Sequence, residues 1–198
     1  MSRVLACLLV FASISTIGAR AATPSATPAA AAPKIEVIEF FSYGCPHCYD
    51  FEPLVKSWLR QQPKDVVFRR VPISLGHPQW VALSKAYYAF EATRHLDKLD
   101  DAIFKAIHNG ASLWDADSIA RWAGTQGVDA SEITNAMNSF SINTKTAQAE
   151  SLAVQYSIEA TPTLMVAGKV VPEGSLEGML KTADEMIGRA RAAMVARK

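Results

Sequence analysis

Apolar and polar positions follow two different periods along this chain, and the points where the period changes mark its elements. The first compact apolar run is Ile35-Glu36-Val37-Ile38-Glu39-Phe40-Phe41. It is short, β-branched and aromatic, which predicts a buried strand. Ser42-Tyr43-Gly44 interrupts it, and helical spacing begins around Tyr49-Asp50-Phe51-Glu52 and extends to about Gln61. Pro53 falls inside that helix and is expected to kink it. Val66-Val67-Phe68-Arg69-Arg70-Val71-Pro72 predicts a second strand. Two strands joined by one helix imply a parallel βαβ unit with a right-handed crossover.

From Gly76 to Ser141 the period is helical throughout. Trp80, Leu83, Tyr87 and Phe90 share one face, as do Leu99, Ile103 and Ile107, with Asn109-Gly110 as a stop. Asp115 or Asp117 is placed to cap a third helix carrying Ile119 and Trp122 and ending between Gly124 and Gly127. Ser131-Glu132 opens a fourth, with Ile133, Met137 and Phe140 expected on its inner face. The aromatics here suit a core better than a ligand site. A helix from about Thr144 to Tyr156 leads to Ala160-Thr161-Pro162-Thr163. Leu164-Met165-Val166 and Lys169-Val170-Val171, joined across Ala167-Gly168, read as a β-hairpin. A last helix spans about Leu176 to Val195. Its Lys181, Arg189 and Arg191, with Arg197 beyond, read as a solvated face with cations near the C-terminus.

The first residues alter the reading of composition. Met1-Ser2-Arg3, an apolar stretch from Val4 to Ile17 and then Gly18-Ala19-Arg20-Ala21 match a cleavable export signal. The apolar stretch is too short for a membrane span, although an uncleaved anchor is the alternative. Cleavage is expected after Ala21, so residues 1–21 form the leader, and residues 22–33, rich in Ala, Pro and Thr, a flexible tether. Removing Arg3 and Arg20 takes Lys+Arg from 20 to 18 against 19 acids. Such a balance gives no reason to expect nucleic acid or an anionic membrane surface as partner. Cleavage also removes Cys7, the first of the chain's 3 cysteines.

Cys45 and Cys48 then remain, within Cys45-Pro46-His47-Cys48. A disulfide framework would need more cysteines. A strand, a tight loop and two cysteines on the first turn of a helix form a setting for thiol redox chemistry. Pro46 suits the first helical position, where its missing N–H costs nothing. Cys45 is thereby placed as N-cap, its sulfur near unpaired backbone N–H groups that favour thiolate. A structural bridge or a metal site built on the pair and His47 is the non-enzymatic alternative. No second ligand pair stands at zinc spacing, and His77, His95 and His108 all fall in the helical stretch.

The run from Glu39 through Cys45-Pro46-His47-Cys48 to Glu52 closely resembles the active-site segment of DsbA-type periplasmic thiol:disulfide oxidoreductases. The resemblance covers nearly all of residues 34–195 and is loosest through the helical stretch. It implies an α/β thioredoxin fold, residues 34–75 and 142–198, with an inserted helical domain at 76–141. Cys45 would be the exposed sulfur that forms a mixed disulfide with a client, Cys48 the buried one, and Pro46 and His47 would tune them. Glu39, on a buried strand, would exchange a proton with Cys48, the alternative being a carboxylate at a strand end facing water. Glu52, two turns past Cys45, suits a solvated face at least as well as a role at the site. Pro162 resembles the family's cis-proline, with Thr161 offering its backbone to a client peptide. The resemblance implies no cofactor and no metal, reduced exported proteins as substrates, a DsbB-type quinone-linked membrane reoxidant, and a periplasmic monomer. A threonine before that proline is also common in disulfide reductases and isomerases, which leaves such an activity as the alternative.

Overall fold

The structure is a computed structural model that describes residues 34–196. The expected leader at 1–21, the tether at 22–33 and Arg197 lie outside the described residues. Among those described, a four-stranded sheet is ordered β2-β1-β3-β4, with β1 at Ile35–Phe41, β2 at Val66–Pro72, β3 at Thr163–Val166 and β4 at Lys169–Val170. β1 runs parallel to β2, as a strand–helix–strand unit requires, and antiparallel to β3, which pairs with β4 as a hairpin. Its central place explains its almost continuous burial. Ile35 and Val37 face Phe51, Val55 and Trp58 of helix α1 (Pro46–Leu59) and Leu180, Ala183 and Ile187 of helix α7 (Leu176–Val195). Ile38 and Phe40 point the other way, toward Ala149 and Ala153 of helix α6 (Phe140–Gln155). Pro53 lies within α1, which continues past it as one helix.

Four further helices, α2 (Pro78–Ala92), α3 (Leu96–His108), α4 (Ala116–Thr125) and α5 (Ala130–Asn138), gather around Leu83, Phe90, Leu99, Ile103, Ile119, Ile133 and Met137. The same apolar cluster contains Phe41, Tyr43, Cys45 and Cys48. The helical stretch therefore forms one wall of the cysteine pair.

Caps set the helix limits. The Asp115 side chain accepts from the Ser118 N–H, closing a capping box at the start of α4. Asp129, not Ser131, caps α5. The Ser139 hydroxyl accepts from the Ile142 N–H and starts α6 at Phe140, four residues before the expected Thr144. Phe140 is thus the first residue of α6 and is 86% exposed, contrary to its expected place inside α5. A three-residue step from Met137 looks helical, but the cap between them resets the phase. α6 then crosses the expected boundary at 141–142 and packs on α2, α5 and β2.

The hairpin turns at Ala167-Gly168, both with positive φ (47° and 77°), which suits a two-residue turn whose twist matches its strands. On α7, Arg191 donates to both carboxylate oxygens of Asp65 beside β2, at 2.7 and 3.0 Å. It therefore ties the last helix to the sheet instead of only facing solvent.

Replacing Phe140 by serine should change unfolding free energy by less than about 0.5 kcal/mol, and Ser139→Ala should cost about 1 kcal/mol. Urea titration of the two variants checks both. A larger loss at Phe140 than at Ser139 would contradict this packing.

Candidate active site

The segment leading into the cysteines is held rigidly. A Cβ on Gly44 would lie 2.3 Å from the Trp80 indole nitrogen, so α2 comes close enough that glycine is required there. Tyr43 is 1% exposed, edge-on to Phe41 at 5.2 Å and to Phe104 at 4.8 Å. Its hydroxyl donates to Asp100 of α3. The Cys45 N–H donates to the Ser42 carbonyl at 3.1 Å, and the Cys45 backbone is extended (φ −88°, ψ 118°), with Pro46 opening α1. Cys45 is the N-cap, but its side chain makes no capping hydrogen bond.

Both cysteines are free thiols. Cys48 is fully buried, and Cys45 keeps 4% of its surface. The expected exposed sulfur is therefore mostly covered, its Sγ lying 3.2 Å from the carbonyl oxygen of Thr161. The Thr161–Pro162 peptide bond is cis. Pro46 and His47 are exposed on the outer side of the turn.

The two thiols are pulled in opposite directions. Cys45 is lowered from 9.0 to about 6, chiefly by the adjacent Cys48 thiol, with the Thr161 side chain and the backbone N–H groups of Cys48 and His47 adding to it against the opposing cost of burial. This corresponds to about 4 kcal/mol in favour of thiolate. A helix terminus supplies at most about 2 kcal/mol, so direct hydrogen bonds must supply the rest. Cys48 is pushed up by burial first, then by its neighbour Cys45 and the charge of Glu39. What His47 contributes here is its backbone N–H.

Beneath α1 lies a buried charge cluster centred on Arg70. β-sheet register makes Arg70 the direct neighbour of Glu39. Its Nε donates to Glu39 Oε2 at 2.9 Å and its Nη1 to Asp100 Oδ2 at 3.0 Å. Its Nη2 sits 3.0 Å from Glu52 Oε2, close as an ion pair but off the line of a hydrogen bond. The guanidinium lies 3.8 Å from the Phe41 ring centroid. Glu39 is fully buried, and among the described residues its Oε1 has no hydrogen-bond partner. Burial raises its carboxyl from 4.5 to about 7; Arg70 opposes that, while Glu52 and Asp100 add to it. Glu52, expected on a solvated face, is 8% exposed and lies in this cluster between Arg70 and Lys56. Two turns into α1, its side chain points under the helix toward β2.

The structure thus brings Cys45, Cys48, Thr161 and Pro162 together, sets Glu39 in the charged layer below, and leaves Pro46 and His47 at the rim. Sequence reasoning missed Arg70, Tyr43 and Asp100. The constant register between β1 and β2 could have found Arg70, since a buried acid needs a partner on the next strand. Asp100 carried no such signal, because it arrives through the packing of α3.

Because the folded Cys45 value lies below its ordinary 9.0, the unfolded reduced chain binds more protons between these limits, and native stability rises with pH there. The contribution is complete above pH 9 and is lost as pH falls through about 6. Relative to Cys45→Ser, the reduced protein should gain about 1.4 kcal/mol per pH unit across that window, as read by urea unfolding at stepped pH. A flat difference would refute the stabilised thiolate.

The DSBA-like thioredoxin domain model matches residues 36–183. The thiol:disulfide interchange protein DsbA of Pseudomonas syringae pv. tomato is 36% identical, with 98% of each chain covered. That of Burkholderia cepacia is 41% identical over 71% of this chain and 66% of its own. The crystal structure of Pseudomonas aeruginosa DsbA superposes with a TM-score of 0.78 at 35% identity, covering 88% of this chain and 92% of that one. The DsbA of Xylella fastidiosa gives 0.76 at 30% identity, covering 81% and 88%. The fold, the pair of cysteines at the start of α1 and these likenesses agree: the chain belongs to the family of DSBA-like thioredoxin domains.

Proposed function

We propose that this chain, a thiol:disulfide oxidoreductase by family, works in the oxidising direction and donates a Cys45–Cys48 disulfide to reduced exported proteins. The observation that carries the reading is the opposed pull on the two thiols, which makes Cys45 a stable leaving thiolate while Cys48 retains its proton. A client thiolate attacks Cys45 Sγ. The Cys45–Cys48 bond breaks, and Cys48 leaves with the electron pair and takes up a proton. Glu39, a buried acid titrating near neutrality, supports the role of proton donor and acceptor for Cys48. A second client thiolate then attacks the client sulfur of the mixed disulfide and expels Cys45 as thiolate. The client is oxidised by two electrons and the cysteine pair is reduced by two.

In this reading Thr161 and Pro162, set against Cys45, receive the client backbone. Pro46 and His47 shape the outer face of the turn. The cycle needs an oxidant to restore the disulfide, for which a DsbB-type quinone-linked membrane protein fits the chemistry. The export signal read at residues 1–21 and the DsbA relatives support a periplasmic site of action, and the protein is taken to act as a monomer.

Oxidised protein mixed with a reduced, unfolded client should transfer disulfides to it. Cys45→Ala should abolish transfer, while Cys48→Ala, first charged at Cys45 with a small disulfide, should accumulate a client–Cys45 mixed disulfide with a client that carries a single thiol. Following client thiols by alkylation checks this, and transfer undiminished in Cys45→Ala would refute the assignment.

A further inference from the structure

We infer that Asp100 is a positioning residue for the proton chemistry of the site: by holding Arg70 from the α3 side, it keeps the guanidinium from neutralising Glu39 and so leaves Glu39 the proton-bearing acid beneath Cys48. The inference rests on the reading of Glu39 as the proton partner of Cys48. It starts from a count of charges and donors. Around the guanidinium stand Glu39 from β1, Glu52 from α1, Tyr87 from α2, Asp100 from α3 and Tyr43 from the loop before Cys45, with Lys56 of α1 beside Glu52, Asp101 of α3 beside Lys56, and Cys48 of α1 near Glu39. Four carboxyl groups thus share two cations: Arg70, Glu39, Glu52 and Asp100 are largely closed to water, whereas Lys56 and Asp101 lie at the exposed edge.

Two of those four have a second anchor. Glu52 pairs with Lys56 as well as Arg70, while Asp101 pairs with Lys56 alone at the exposed edge. Asp100 accepts the Tyr43 hydroxyl on Oδ1 and Arg70 Nη1 on Oδ2, so both its oxygens are occupied. Glu39 has one bond, from Arg70 Nε, and a buried Oε1 with no partner among the described residues. A carboxyl group with a vacant buried oxygen is the one at which a proton costs least to keep. Asp100 enforces this from outside the thioredoxin strands. The Tyr43 hydroxyl, whose ring packs on Phe104, fixes its place on α3, and its negative charge shares the guanidinium that would otherwise serve Glu39 and Glu52 alone. The helical stretch would thereby set the protonation of an acid on the central strand.

The test is Asp100→Asn in the full protein, with the Glu39 carboxyl titrated by carbon NMR of side-chain-labelled glutamate, assigned through Glu39→Gln. The expected result is a titration midpoint at least about one pH unit lower than in the parent, a tenfold loss of proton affinity, because Arg70 then serves two carboxylates instead of three. The pH profile of mixed-disulfide formation at Cys45, the step in which Cys48 leaves, should move the same way. Asp100→Glu, which restores the charge, should return the midpoint to within about threefold of the parent. Should Asp100→Asn fold poorly, Asp100→Ser removes the same charge and is read in the same way. An unmoved Glu39 midpoint in the folded neutral variant overturns the inference. A different outcome overturns the reading beneath it: if Glu39→Gln leaves the pH profile of mixed-disulfide formation unchanged, Glu39 does not serve Cys48, whatever Asp100 does to its titration.

Discussion

Two sulfurs sit three residues apart on the first turn of α1, and the rest of the architecture makes them unequal. Cys45 lies at the helix entrance, where backbone N–H groups and the Cys48 thiol stabilise a negative charge. Cys48 lies one turn further in, where burial and a nearby acid oppose one. A dithiol in which one sulfur holds charge and the other holds the proton resists giving electrons back, so its disulfide is readily spent. With Cys45 lowered to about 6, its ionisation at pH 7 stabilises the reduced form and so makes the disulfide the more oxidising.

That inequality depends on rigid surroundings on both sides. Above, the Thr161 side chain helps to lower Cys45, while its carbonyl oxygen covers the sulfur at 3.2 Å. Below, Arg70 bridges β2, β1, α1 and α3 through Glu39, Glu52 and Asp100. Buried ion clusters of this kind are weak evidence for stability, because desolvation offsets their attraction. Their value here is positional, since they fix which buried carboxyl group carries a proton. The tight approach of Trp80 to Gly44 and the ring packing around Tyr43 hold the cysteine loop between the two layers.

Features with a local physical signature were legible in the sequence. The strand at Ile35–Phe41, the proline opening α1 and the hairpin around Ala167-Gly168 each depend on a few adjacent residues, and they stand where the pattern places them. Errors arose where a cap or a long-range contact decides. Ser139 ends one helix and starts the next, so Phe140 turned outward despite its helical spacing. Glu52 reads as a surface residue because nothing in α1 reveals that Arg70 lies beneath it. Tyr43 and Asp100 lie 57 residues apart and meet only once α3 packs against the loop. Cys45 was expected to be open, and it is the distant Thr161 that covers it.

The most direct test of the account is the reduction potential of the Cys45–Cys48 pair measured against pH. Below the Cys45 value, reduction takes up two protons with two electrons and the potential should fall by about 59 mV per pH unit; above it, one proton is taken up and the slope should halve to about 30 mV. The account predicts that the break falls near pH 6. A slope of about 59 mV persisting to pH 8 would contradict it, because Cys45 would then remain a thiol in the working range.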